Sequence, residues 1–340
     1  FFFPLMRLIV GLGLVAVVYV GATRSSSFLG TESGISYGDL FAFIGLYNEV
    51  IFPVMTFGWA LNMLQAGAAS MKRIAEIFDA RPEISVQNAG EQAESPITLR
   101  GEITFNHLTF SYNGDAVLHD IHLHVPAGNT LGVVGQVGSG KSTLLSLIPR
   151  LYPVKRGMLY IDGRDINDVP IAQLRSAVSM APQETFLFSE TLRENIEFGN
   201  DAALEQSIFA AAESAQMHET IQSFPQQYDT ELGERGINIS GGQKQRTALA
   251  RALLRDPKIL LLDDSLSSVD TETERVILRN LREELKGRTA IIVSHRVSTV
   301  ALADEIIVLD EGRIVERGTH EQLVSSDGIY AQLNRQQQLA

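Results

Sequence analysis

The stretch Gly135-Gln-Val-Gly-Ser-Gly-Lys-Ser-Thr143 restricts the fold of this 340-residue chain more than any other. It follows an apolar run, Leu131 to Val134, that reads as a buried strand. It precedes Leu144-Leu-Ser-Leu-Ile148, which reads as a helix. Strand, glycine loop, Lys, Ser/Thr and helix is the order of a P-loop. Gly135, Gly138 and Gly140 let the backbone around Ser139 wrap closely and turn its N–H groups inward at phosphate oxygens. The helix start adds unpaired N–H groups and a partial positive charge. Lys141 brings a full charge to the terminal phosphates of a nucleotide, and the Ser142 hydroxyl, next to Thr143, is a ligand for Mg²⁺.

Around this loop the chain alternates strand and helix patterns. Ile103 to Tyr112 alternates like a strand, with Val117 to Val125 as its partner. Gly157 to Asp162 and Ala177 to Met180 read as strands, and Thr191 to Arg255 is mainly helical in pattern. Lys258-Ile-Leu-Leu-Leu-Asp263 is a continuous apolar run ending in acid, the pattern of a parallel strand buried on both faces. Thr271 to Leu285 reads as a helix, Ala290 to Val293 as a buried strand, and Glu305 to Leu309 and Arg313 to Arg317 flank a turn. This is an α/β nucleotide-binding pattern with a helical insertion. Asp263 ends its strand where the sheet meets the loop, so it is placed to hold Mg²⁺ opposite Ser142. His295 ends the next buried strand and faces the same rim. Of His119, His122 and His124 only the last two share a strand face, and with no third ligand at suitable spacing they read as a solvated strand face rather than a metal site.

The first part of the chain has a different character. No charge occurs from Leu8 to Thr23, and from Leu40 to Met71 the only one is Glu49. Each stretch supplies the roughly 20 apolar residues of a membrane span. The expected helices are about 1–22 and 40–66, within a membrane region 1–75, followed by a linker 76–100 and a nucleotide-binding domain 101–340. A signal peptide fits less well, since a basic start and a small-residue cleavage site are missing. The polar segment from Arg24 to Gly34 joins the spans. With the nucleotide domain in the cytosol, Lys72 and Arg73 fall at the inner edge, as the positive-inside rule requires. Pro53 is expected to kink the second helix. Glu49 has two readings, a substrate or ion pathway and an outer-interface carboxylate. Gly11-Leu-Gly13-Leu-Val-Ala16 imitates a dinucleotide fingerprint without the preceding strand, and reads as helix-packing small residues.

A net charge of −12 argues against a nucleic-acid partner. With no cysteine in the chain, disulfides, Cys-bound zinc and thiol catalysis are excluded. The chain opens on Phe1 rather than Met and is expected to be a piece of a longer protein.

Ile239-Ser-Gly-Gly-Gln243, followed by Lys244-Gln-Arg246, resembles the signature of ATP-binding cassette (ABC) proteins. Four further segments match that family in order: Tyr112 where the adenine-stacking aromatic lies, Gln183 in the Q-loop, Ser267-Ser-Val-Asp270 as the D-loop, and His295 as the switch histidine. Thr230 to Gly236 resembles the extra loop of ABC exporters, and Gly38 to Ile74 resembles the last membrane helix of an exporter half-transporter and its exit into the cassette. The resemblance implies a P-loop ABC ATPase domain, with a mixed sheet and helical insertion, preceded by transmembrane α-helices. Such a half has six spans, of which this chain would hold the fifth, in part or whole, and the sixth. The resemblance further implies that Ser240, Gly241, Gly242 and Gln243, with Asp270, complete the ATP site of a partner cassette, while Gln183 joins Ser142 and Asp263 at Mg²⁺. ATP would join two cassettes, and its hydrolysis would drive export of a hydrophobic or amphipathic substrate, drug or lipid-like. Soluble ABC ATPases, import ATPases and ATP-gated channels are the rivals, opposed by residues 1–71, by the Thr230–Gly236 loop, and by Gln183 with His295.

One position departs from the family pattern. Asp264 stands where the family has Glu, the residue that orients and deprotonates the attacking water. Its shorter side chain reaches about 1 Å less, and a misplacement of that size costs up to ~10²-fold in rate. Asp here resembles the impaired half of heterodimeric exporters. The expectation is therefore a heterodimer in which this chain's own site is slow, with a homodimer and a competent Asp264 as the alternative.

Overall fold

The computed structural model describes residues 2–24, 35–80, 84, 97–200 and 202–338. The expected polar loop beyond Arg24 and most of the expected linker lie outside these residues. The chain divides into two compact units, Phe1–Pro82 and Glu83–Ala340.

The first unit contains helices α1 (Phe2–Thr23) and α2 (Tyr37–Asp79). The Ser36 hydroxyl caps α2 by accepting from the Gly38 N–H at 3.2 Å. The helix is longer than the expected 40–66, and its last residues come from the segment read as linker. Its 43 residues span about 65 Å, twice the ~30 Å hydrocarbon core. The polar end with Lys72, Arg73, Glu76 and Asp79 therefore extends well past any one bilayer core. Pro53 lies inside α2, and the helix continues through it. The small-residue reading of α1 holds for Gly13, where a Cβ would strike the Tyr47 hydroxyl; outside that stretch, a Cβ on Gly21 would strike Leu40. Gly11 faces open space. Tyr47 fixes the close approach by donating to the Val10 carbonyl at 3.0 Å. Both helices are long and apolar enough to cross a membrane, and 6% and 0% of their apolar windows are buried, which is not the condition of a soluble core helix.

The second unit begins with an antiparallel sheet. Strands β1 (Ile103–Phe110) and β2 (Leu118–Val125) pair through two register shifts. The central strand β3 (Thr130–Gly135) leads into α3 (Lys141–Leu147). Strands β4 (Leu159–Ile161) and β5 (Arg164–Asp165) complete the first sheet, in the order β2-β1-β4-β5. Helix α4 (Ile171–Ala177) and strand β6 (Val178–Ala181) follow. The region expected to be helical holds α5 (Leu192–Glu197), α6 (Glu205–Ser214), α7 (His218–Gln222) and α8 (Gly241–Leu254). Then come β7 (Ile259–Asp263), α9 (Thr271–Glu284), β8 (Thr289–Val293), α10 (Val297–Val300), β9 (Glu305–Asp310), β10 (Arg313–Gly318), α11 (His320–Ser325) and α12 (Ile329–Gln338).

The second sheet has the order β10-β9-β3-β8-β7-β6. All its pairs are parallel except β9 with β10, so it is mixed, as expected. Alternate residues explain its apolar runs. Ile259 and Leu261 face one core with Leu144 and Leu145 of α3, while Leu260 and Leu262 face a second core built with α8 and the helical insertion. A strand covered on both faces has no room for polar residues until it ends.

That topology assembles the site. β3, β8 and β7 are neighbours and run the same way, and Val293 pairs with both Val133 and Asp263. Ala181 of β6 pairs with Leu262. Four strands therefore end at one rim, and the segments that leave it carry the P-loop, His295, Asp263-Asp264 and Gln183.

Candidate nucleotide site

The P-loop helix starts three residues earlier than its apolar run indicates, at Lys141, so Lys141, Ser142 and Thr143 form its first turn. Gly140 is its N-cap, at φ +97°, in the left-handed region. A Cβ at Gly140 would also press on Leu118 at 2.7 Å, so both conformation and space require glycine.

A cavity of about 260 Å³ opens over this turn, lined by Gly138, Gly140, Lys141, Ser142, Thr143, Gln183, Asp263, Asp264 and His295 among others. Lys141 is buried, and its Nζ donates to the carbonyls of Gly135 at 2.9 Å and Gln136 at 2.6 Å. Burial pushes its pKa below the ordinary lysine value, against the attraction of Asp263 and Asp264. Asp263 is 4% exposed, and its Oδ1 has no hydrogen-bond partner. Burial raises its pKa above the usual Asp range, opposed by the Ser142 hydroxyl and reinforced by the neighbouring charge of Asp264. An orphaned buried carboxylate oxygen, with a hydroxyl and the Gln183 amide on the same cavity, is a donor set that suits a hard cation such as Mg²⁺. The buried Ser139 hydroxyl is likewise unpartnered.

Asp264 takes φ +45°, a conformation that Asp tolerates better than most residues. Its N–H donates to the Val293 carbonyl at 2.9 Å, and its Oδ1 accepts from the His295 N–H at 3.4 Å. The carboxylate thus lies against the backbone that presents His295. His295 itself is exposed on the cavity.

Other sequence-predicted residues lie elsewhere. Tyr112 lines an adjoining cavity of about 360 Å³ with Tyr152. The two rings meet edge-on at 4.8 Å, and the Tyr112 hydroxyl is 3.0 Å from that of Thr143. Ser240 to Gln243 and Asp270 do not line the P-loop cavity. Helix α8 starts at Gly241, with Ser240 as N-cap. The Ser240 hydroxyl accepts from the Gln243 N–H at 3.3 Å, and the Gln243 side chain accepts from the Ser240 N–H at 2.8 Å, a capping box. Asp270 caps α9 by accepting from the Thr273 N–H at 2.9 Å, and hydrogen bonds to Thr273 hold its pKa below the usual carboxylate range. Among the described residues no His/Asp/Glu cluster could hold a metal. His124 pairs with Thr104 at 3.0 Å, and His122 stacks on His107.

Residues that motif reading passed over hold the loops in place. Gln245 of α8 donates to the Ser267 hydroxyl at 2.9 Å and accepts from the Ser268 N–H at 2.8 Å. Arg296 reaches the Ser267 and Val269 carbonyls, both at 3.2 Å, and pairs with the buried Glu274 of α9. Nothing in the sequence marked Glu274, whose burial at the start of α9 only the fold reveals.

A P-loop turn, two strand-end carboxylates and a strand-end histidine on one cavity define a nucleotide-binding ATPase unit. Residues 118–267 match the ABC transporter family, and the unit that holds them is an ABC transporter ATPase domain. ATP-binding cassette sub-family B member 6 of Xenopus tropicalis is 41% identical over 98% of this chain and 38% of its own length. The ATP-dependent lipid A-core flippase of Desulfotalea psychrophila is 38% identical over 98% of this chain and 57% of its own. A solved bacterial Atm1-family ABC exporter with ATP bound aligns at TM-score 0.76 and 35% identity, over 98% of this chain and 58% of that one. The chain thus spans between 38% and 57% of the length of these two curated relatives.

Proposed function

We propose that this chain carries the last two membrane helices and the cassette of an ABC exporter half-transporter, which uses ATP to move a hydrophobic or amphipathic substrate across a membrane. The observation that carries the reading is the single rim on which Lys141, Ser142, Gln183, Asp263, Asp264 and His295 share a cavity. Lys141 and the P-loop N–H groups bind the phosphates, and Tyr112 takes the base. Ser142, Gln183 and Asp263 would hold Mg²⁺, which would screen the phosphate charge. Asp264 orients the attacking water and takes its proton, and His295 contacts the γ-phosphate. Ser240 to Gln243 and Asp270, away from this cavity, serve the nucleotide of a second cassette. Their helix start is an anion site of the usual kind.

The dimer is a heterodimer, in this reading, with a slow site on this chain. Asp264 supports it, because its carboxylate lies against the His295 N–H and reaches one methylene less far than Glu would. The protein is an integral membrane protein of an inner or plasma membrane, with the ATPase unit in the cytoplasm. A lipid-like cargo has support from the relative named as a lipid A-core flippase.

Turnover by the reconstituted transporter tests both levels. Lys141→Ala should abolish ATP binding at this chain's site. Asp264→Glu should raise hydrolysis there by up to ~10²-fold. If this protein, purified without any partner chain, shows full substrate-stimulated ATPase, it is a homodimer with a competent Asp264.

A further inference from the structure

The segment that presents His295 is gripped from the far end of the chain. Helix α10 begins at Val297, and its N-cap residue Arg296 makes no side-chain cap bond. The amide of Gln337, on the last turn of α12, supplies what is missing. Its Oε1 accepts from the Val297 N–H at 2.7 Å, and its Nε2 donates to the His295 carbonyl at 2.6 Å. One side chain thus pins the backbone on both sides of Arg296, one residue from the histidine side chain.

Gln337 reaches this place because α12 is anchored elsewhere. Glu316 of β10 accepts from the N–H groups of Ile329 and Tyr330 at the helix start. Tyr330 is fully buried, with its hydroxyl 2.7 Å from His320 Nδ1. Tyr330 shares a core with Val297 and Val300 of α10, against which Leu333 packs. Two turns further on, Gln337 itself is exposed and borders a cavity of about 670 Å³ between α9 and α12. Its removal therefore leaves the packed core intact.

We propose that Gln337 is a positioning residue for His295: α12 sets the switch segment through this amide, so the C-terminal helix controls hydrolysis at a site it does not touch. The proposal rests on the reading of His295 as the γ-phosphate contact.

The test uses the full-length transporter with its partner, the partner cassette's own site disabled. Single-turnover hydrolysis, ATP affinity, melting temperature and amide exchange over 295–300 are compared in wild type, Gln337→Ala and Gln337→Glu. For Gln337→Ala the single-turnover rate should fall about 5-fold, the worth of one or two hydrogen bonds. ATP affinity should change less than about 2-fold and the melting temperature should hold, while Val297 exchanges faster. Gln337→Glu keeps the acceptor and loses the donor, so Val297 should stay protected while the rate still falls. Unchanged exchange in Gln337→Ala overturns the clamp, and faster exchange with an unchanged rate overturns its control of hydrolysis. Faster exchange in a protein whose wild type hydrolyses no ATP at this site overturns the nucleotide reading and leaves the clamp.

Discussion

Asp263, the proposed Mg²⁺ ligand, illustrates how a site residue works against the fold that holds it. Its carboxylate is buried, one oxygen has no partner, and its pKa is raised. A raised acid pKa means the folded state holds its proton more tightly than the unfolded one. The stability from that protonation is present in full below the ordinary Asp range and is lost as pH rises through the folded value. At neutral pH the empty site therefore carries a charge that lacks solvation. Asp263→Asn removes the charge. Thermal melts of the nucleotide-free protein should show the variant gaining on wild type as pH rises from about 4 toward neutrality. The same variant should lose the additional stabilisation that Mg²⁺ brings to bound ATP. A gap that stays constant with pH would mean that burial is not the cause of the shift.

At the scale of elements, glycines that are adjacent in the sequence have different tasks. In α8 a Cβ on Gly241 would meet the Ser268 side chain at an ordinary 3.5 Å, while one on Gly242 would lie 2.8 Å from the Ser268 carbonyl. Gly242 is thus required where α8 passes against the 267–270 loop, apart from any anion at the helix start. Gly242→Ala should cost about 1–3 kcal/mol and lower the melting temperature by several degrees. Gly241→Ala should stay within about 0.5 kcal/mol, since helix propensity favours alanine. Equal losses in calorimetry would remove the distinction. The sequence shows two glycines in a signature and cannot rank them, because the ranking depends on a loop 26 residues further on. The buried strands were legible, since a strand covered on both faces must be a continuous apolar run. The P-loop was legible because its chemistry is local. The P-loop helix was read late, at Leu144 instead of Lys141, because its first turn holds polar residues that carry no periodicity. Arg296, Glu274 and Gln337 were not legible at all: each partner lies more than 20 residues away, and a glutamine within Gln336-Gln-Gln338 has no pattern to mark it.

On the scale of the whole molecule, the two units have opposite relations to water. The unit Glu83–Ala340 contains all three apolar clusters, buried between its sheets and beneath its helices. The unit Phe1–Pro82 has no such cluster among its described residues, and α2 has no buried residue. Phe41, Phe52, Phe57 and Trp59 are each more than half exposed. Apolar surface on that scale is covered by lipid or by other helices. The cassette, by contrast, has its own apolar core, the condition for folding by itself. Expression of residues 83–340 without the first unit should therefore give a monodisperse protein in buffer without detergent. It should unfold cooperatively, and ATP at about 100 times its dissociation constant should stabilise it by about 2.7 kcal/mol. Lys141→Ala in the same protein should remove that stabilisation while leaving the unfolding of the nucleotide-free form close to wild type. The full chain should require detergent or lipid to stay in solution. If 83–340 aggregates or melts without cooperativity, the cassette depends on the membrane unit for its core, and the proposed boundary near residue 100 is misplaced.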